Sequence, residues 1–120
     1  MTPQFPVIEL LDRLTIAKVK HRRMGNGNEL EVEYYQCQAN NLNLHKVKQQ
    51  LQDLETIHDT IWELEKELKN GCEQQLSLEE IGRRAIKIRD WNNKRVAIKN
   101  QMATILDCPI LEIKRDHLSE

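Results

Sequence analysis

The stretch Ser77–Leu106, SLEEIGRRAIKIRDWNNKRVAIKNQMATIL, decides the fold. It opens on Ser77-Leu78-Glu79-Glu80, the pattern of a capping box, in which the Ser77 hydroxyl accepts from the Glu80 amide while the Glu80 side chain reaches back. From there Ile81, Ala85, Ile88, Val96, Ile98, Met102, Ala103 and Leu106 return to one side of a helix at about 100° per residue. Asp107-Cys108-Pro109 follows, and a residue before proline is pushed out of helical geometry, so a helix is expected over 77–106. Asn92, Arg95 and Lys99 fall inside its apolar stripe. They are either polar pins of a bundle or the floor of a site.

Working outward, the preceding segment repeats Leu44, Val47, Leu51, Leu54, Ile57, Ile61, Leu64 and Leu68, a long helix that Asn70-Gly71 is expected to stop. Before it, Leu30, Tyr34, Cys37 and Asn41 keep helical spacing, and Asn40-Asn41-Leu42-Asn43 marks a break, because asparagine side chains compete for nearby backbone groups. The first helix starts near Pro6, carries Val7, Leu10, Leu11, Leu14, Ala17 and Met24 on one face, and ends at Gly25-Asn26-Gly27-Asn28. Ile8, Ile16 and Val19 give it a second apolar flank.

The expected fold is therefore all-α: an antiparallel helical bundle of three to four long helices forming a single domain over 1–120. The helices span about 6–24, 29–70 with a break near 40–43, and 77–106, with a tail at 110–120. Its core is expected at Leu10, Leu14, Leu51, Leu54, Ile61, Leu68, Ile81, Ile88, Ile98 and Met102. The middle helix is acidic through Asp53, Glu55, Asp59, Glu63, Glu65 and Glu67, and the last is basic through Arg83, Arg84, Lys87, Arg89, Lys94, Arg95 and Lys99. A short connection should fold them antiparallel with opposite charges facing.

Composition excludes several classes of function. A net charge of −1 gives no overall pull toward nucleic acid or anionic membrane, and no aromatic residues interleave with the basic pairs Arg22-Arg23 and Arg83-Arg84 as stacking platforms. No apolar run approaches a spanning helix, and Met1 to Val7 lacks the parts of a secretory signal, so a soluble cytoplasmic protein is expected. Cys37, Cys72 and Cys108 are odd in number and widely spaced, and the four histidines show no paired spacing. No metal and no cofactor is expected. Glu63 and Glu67, one turn apart, are read as a solvent face in preference to a Mg²⁺ pair.

Each helix nevertheless brings polar groups inward: Lys18 and His21 in the first, His58 and Glu65 in the middle one, and Asn92, Arg95 and Lys99 in the last. An unpaired buried charge costs several kcal/mol, so these groups meet one another, a ligand or water. In the structural alternative Glu65 or Asp12 pairs with Arg95, and Asn92 bridges backbone groups. In the functional alternative Lys18, His21, Arg95 and Lys99 clamp a phosphate or carboxylate, with Trp62 or Trp91 as a stacking wall.

Three segments, ELLDRLTIAKVKHRR (Glu9–Arg23), IHDTIWELEKELKNG (Ile57–Gly71) and IRDWNNKRVAIKNQM (Ile88–Met102), together resemble a family of small bacterial all-helical proteins of unknown function. That family carries ELxDKxTILxIK, LWxxExxIR and NxxRAxIK patterns and is often encoded near genes for surface polysaccharide. The resemblance implies Asp12, Lys18 and Lys20 as matched positions in the first segment, Trp62 and Glu65 in the second, and Asn92 or Asn93, Arg95 and Lys99 in the third. Asp59 and Lys69 depart from the pattern, which has Asn and Arg there.

The combined expectation is a non-catalytic helical binding module that forms a homodimer and contacts protein partners and neither membrane nor nucleic acid. Its candidate ligand-binding residues are Lys18, His21, Trp62, Glu65, Asn92, Arg95 and Lys99. The alternative is a small enzyme or sensor for a phosphorylated or nucleotide ligand, with a weak likeness to helical nucleotide pyrophosphatases.

Overall fold

The computed structural model describes residues 6–25 and 27–108. Four helices follow one another: α1 Val7–Met24, α2 Glu29–Ala39, α3 Lys48–Glu73 and α4 Leu78–Ile105, with a 3-10 turn at Leu44–Val47 leading into α3. The architecture is all-α. Helices α3 and α4 form a long hairpin, and α1 lies across its base with α2 packed against α1.

The core sits where α1 crosses that base. Leu11, Leu14, Ala39, Val47, Leu54 and Met102 form one buried cluster, joined by half-buried Val7, Tyr35, Leu51 and Ile98. Of the expected core, Leu10, Leu14, Leu54, Ile61 and Met102 are buried, whereas Leu51, Leu68, Ile81, Ile88 and Ile98 are half-buried. For Leu68, Ile81 and Ile88, toward the far end of the hairpin, the reason is length: α1 has 18 residues against 26 and 28 in the hairpin helices. At about 1.5 Å per residue it is more than 10 Å too short to cover both ends.

The face of α2 differs from expectation. Leu30 is 82% exposed, and Tyr34, Cys37 and Asn41 are exposed as well, so that row points to solvent. Asn28, Tyr35, Ala39 and Leu42 turn inward instead. Asn28 sets this rotation: it is buried, and its amide donates to the Ala17 carbonyl at 3.0 Å, tying the start of α2 to α1.

Two helix ends also differ. Asn70-Gly71 does not stop α3, which continues to Glu73. The stop is a Schellman motif in which Gln75 adopts φ 56°, its N–H donates to Cys72 O at 3.2 Å and the Leu76 N–H donates to Gly71 O at 3.1 Å. Gly71 instead makes room: a Cβ there would meet the Arg84 guanidinium at 2.8 Å. Helix α4 ends the same way, with Asp107 at φ 57° and Cys108 N–H donating to Ala103 O at 2.7 Å. Pro109 and the tail at 110–120 lie outside the described residues. Because a left-handed glutamine costs about 1–2 kcal/mol that glycine avoids, less the freedom glycine adds to the unfolded chain, Gln75→Gly should stabilise the fold by about 0.5–1 kcal/mol in urea unfolding.

The capping box is half formed. Ser77 Oγ accepts from Glu80 N at 3.2 Å, but the Glu80 carboxylate turns to Arg83 and Arg84, at 3.1 and 3.2 Å, because charged partners one turn ahead outcompete a single backbone amide.

Candidate functional site

The inward polar groups converge on Asp12, in the middle of α1. Its carboxylate is reached at 2.8 Å by His58 Nε2 from α3, at 3.8 Å by Arg95 Nε and at 3.6 Å by Lys99 Nζ, both from α4. Lys99 also lies 3.6 Å from Glu9, one turn before Asp12. Asn92 accepts from Arg95 Nη1 at 3.3 Å, and Thr15 donates to the Asp12 carbonyl at 2.8 Å. Asp12, His58, Asn92 and Lys99 are all buried. Three helices therefore meet at one carboxylate.

Helical spacing explains how they arrive there. Asn92, Arg95 and Lys99 sit at i, i+3 and i+7 and share one face of α4. Glu9 and Asp12 share a face of α1 in the same way. An ionised carboxylate only accepts hydrogen bonds, so His58 presents its Nε2–H to Asp12. Burial by itself would raise the Asp12 pKa, but the His58 hydrogen bond and the charges of Arg95, His58 and Lys99 outweigh it and hold the carboxyl below its ordinary value.

Within the cluster the carboxylates Asp12 and Glu9 face the cations Arg95 and Lys99. Beside it a depression of about 150 Å³ opens, walled by Ile16, Val19, Trp62, Glu65, Asn92 and Arg95 among others. Trp62, Glu65, Asn92 and Arg95 thus come together, and Lys99 is one turn further along α4. Glu65 is exposed at the rim, and Asp12 is the carboxylate 3.8 Å from Arg95 Nε.

Lys18 and His21 do not join them. His21 Nδ1 lies 3.2 Å from Asn28 Oδ1, in the turn between α1 and α2. Lys18 faces a separate groove between α1 and the start of α3. The expected four-cation clamp is therefore divided among three places, because α1 crosses the hairpin obliquely and its successive turns meet different neighbours. Trp91 is covered by Lys94, whose Nζ stands 4.0 Å from the ring centre.

Several of the other charges pair within the chain. Arg22 reaches Glu55 at 2.9 Å, and Arg23 reaches Asp59 at 2.9 Å and Glu63 at 2.7 Å. Glu55, Asp59 and Glu63 of α3 are thus taken by α1, contrary to the expected pairing with α4. Arg83 and Arg84 fold back onto Glu79 and Glu80, and Arg84 donates to the Glu67 carbonyl at 2.7 Å. Glu63 is engaged by Arg23, which sets it apart from a magnesium ligand pair with Glu67. Among the described residues no helix is long and apolar enough to cross a membrane.

Glu9, Thr15 and Asn28 were not signalled by projection alone. Glu9 could have been found from its position one turn before Asp12, and Asn28 from its place at the N-terminal end of α2. Comparison with protein-family models, curated proteins and solved structures finds no match.

Proposed function

We propose that this chain is a non-catalytic helical interaction module that works as a homodimer, joined through the α3–α4 hairpin beyond Glu63. The observation that carries this reading is the state of that hairpin. From Leu64 to Trp91, Gly71 is the only buried residue, although Leu64, Leu68, Ile81 and Ile88 follow the apolar repeat of a core. Ion pairs from α1 reach α3 no further than Glu63. A second hairpin packed against the first would complete a four-helix bundle and finish burying that seam.

Charge supports a second copy as the occupant. Glu65 and Glu67 on α3 and Lys87 on α4 are exposed, and a two-fold axis brings the acidic helix of one protomer to the basic helix of the other. The Asp12 cluster then acts as a register lock that holds α1 across the hairpin base. Arg95 and Lys99 are turned onto carboxylates, which favours this role over an anion clamp. The free thiols Cys37, Cys72 and Cys108 fit a reducing, cytoplasmic setting, and the three quoted segments support kinship with the small bacterial helical family they resemble.

The reading predicts that unfolding is coupled to dissociation. The midpoint of thermal unfolding should rise by about 2–5 °C for each tenfold increase in protein concentration. A midpoint independent of concentration, measured by circular dichroism, contradicts it.

A further inference from the structure

We propose that the groove between α1, the 3-10 turn and the start of α3 binds a small amphiphilic anion, a short alkyl chain bearing a carboxylate or phosphate head. The groove has a volume of about 350 Å³. That is near the lower end of the roughly 300–1,000 Å³ typical of small-molecule sites, and so suits a short chain. It is distinct from the Asp12 cluster and from the hairpin seam.

Two properties define the ligand. Leu14, Leu44 and Leu51, one from each of the three elements, give the lining an apolar component. Lys18, His45 and Lys48, again from all three, add cationic or protonatable groups to the same lining. Lys18 is half-buried within the apolar face of α1, as expected of a lysine whose stem lies on apolar surface while its ammonium reaches outward. Glu55 is the carboxylate of the lining, and Arg22 already holds it at 2.9 Å. The two lysines therefore bring positive charge to a partly apolar groove whose acid is engaged elsewhere.

Neither property suffices by itself. An inorganic anion gains only the ammonium groups of half-buried Lys18 and exposed Lys48, whose charges water and salt screen. A neutral alkyl chain gains only a shallow contact with three leucines. A molecule carrying both features gains from both, which is the physical content of the proposal.

The test is a titration of the ¹⁵N-labelled full chain, followed by amide shifts, with octyl phosphate and octanoate as probes and octanol and inorganic phosphate as controls. Saturable shifts at Lys18, His45 and Lys48 are expected with at least one probe, and the tighter of the two identifies the head group. Each control should bind at least about tenfold more weakly, and Lys18→Ala with Lys48→Ala should weaken the probe by about tenfold or more. Lys94→Ala, on a helix outside the groove, should leave the probe affinity unchanged. Octanol or inorganic phosphate binding as tightly as both probes overturns the proposal. So does the absence of saturable shifts, or shifts confined to 64–91. None of these outcomes bears on dimerisation, which the concentration dependence of unfolding tests separately.

Discussion

Replacing Asp12 with Asn should lower stability by about 3–5 kcal/mol, shifting the thermal midpoint down by roughly 10–20 °C. Asn is nearly the same size, so the loss is electrostatic. Arg95 and buried Lys99 keep their charges while each loses a carboxylate, and Lys99 retains Glu9 at 3.6 Å. His58 Nε2 also exchanges a carboxylate for a neutral amide. Removing one partner of a buried network costs far more than the network is worth against an apolar replacement, because the remaining charges are stranded. The double variant Asp12→Asn with Lys99→Met should accordingly recover about half of the loss in urea unfolding at neutral pH.

The same carboxylate sets a pH dependence. Its folded pKa lies below the unfolded value, so its contribution is fully present above the unfolded pKa of about 3.9 and fades as pH falls through the folded value. The difference in stability between wild type and Asp12→Asn should therefore shrink below about pH 4. A difference that does not shrink there contradicts this assignment.

Changing Ile88 to Glu should dissociate the proposed dimer while leaving the protomer folded. Ile88 is half-buried within one chain, so the protomer tolerates a glutamate that turns toward water. In the dimer the seam closes, and the two-fold axis places an unpaired charge there in both copies, weakening association by about 100-fold or more. Light scattering should give a mass near 14.2 kDa, with helical circular dichroism retained. Leu30→Glu is the contrasting variant: it places a charge on the other exposed apolar row, on α2, and should leave the mass of the dimer unchanged. Dissociation by Leu30→Glu and not by Ile88→Glu moves the interface to α2.

Much of this fold was legible from spacing. The apolar repeats of α1, α3 and α4 are long, and asparagines and glycines mark the turns after α1 and α2. What failed was local. Helix α2 carries apolar residues on more than one side, so the row Leu30, Tyr34, Cys37 could not be told from the inward row of Tyr35 and Ala39 without the Asn28 anchor. Gly71 looked like a cap because glycine usually is one after a helix, yet here it makes room for Arg84.

The candidate site was legible in part for the same reason. Asn92, Arg95 and Lys99 share one face of one helix, which projection reads directly. Their common partner is on another helix, and projection carries no information about how α1 crosses the hairpin. The crossing brings Asp12 to them and takes Lys18 and His21 away. Charge pairing failed similarly: Glu55, Asp59 and Glu63 look complementary to α4, but Arg22 and Arg23 lie closer once α1 is in place.

Sedimentation equilibrium of the full chain across micromolar concentrations addresses the central claim most directly. A mass of twice 14.2 kDa, falling toward the protomer value on dilution, is the predicted result. A mass of 14.2 kDa at every concentration would contradict the account, because the seam between Leu64 and Trp91 would then stand open to water with no second copy to cover it.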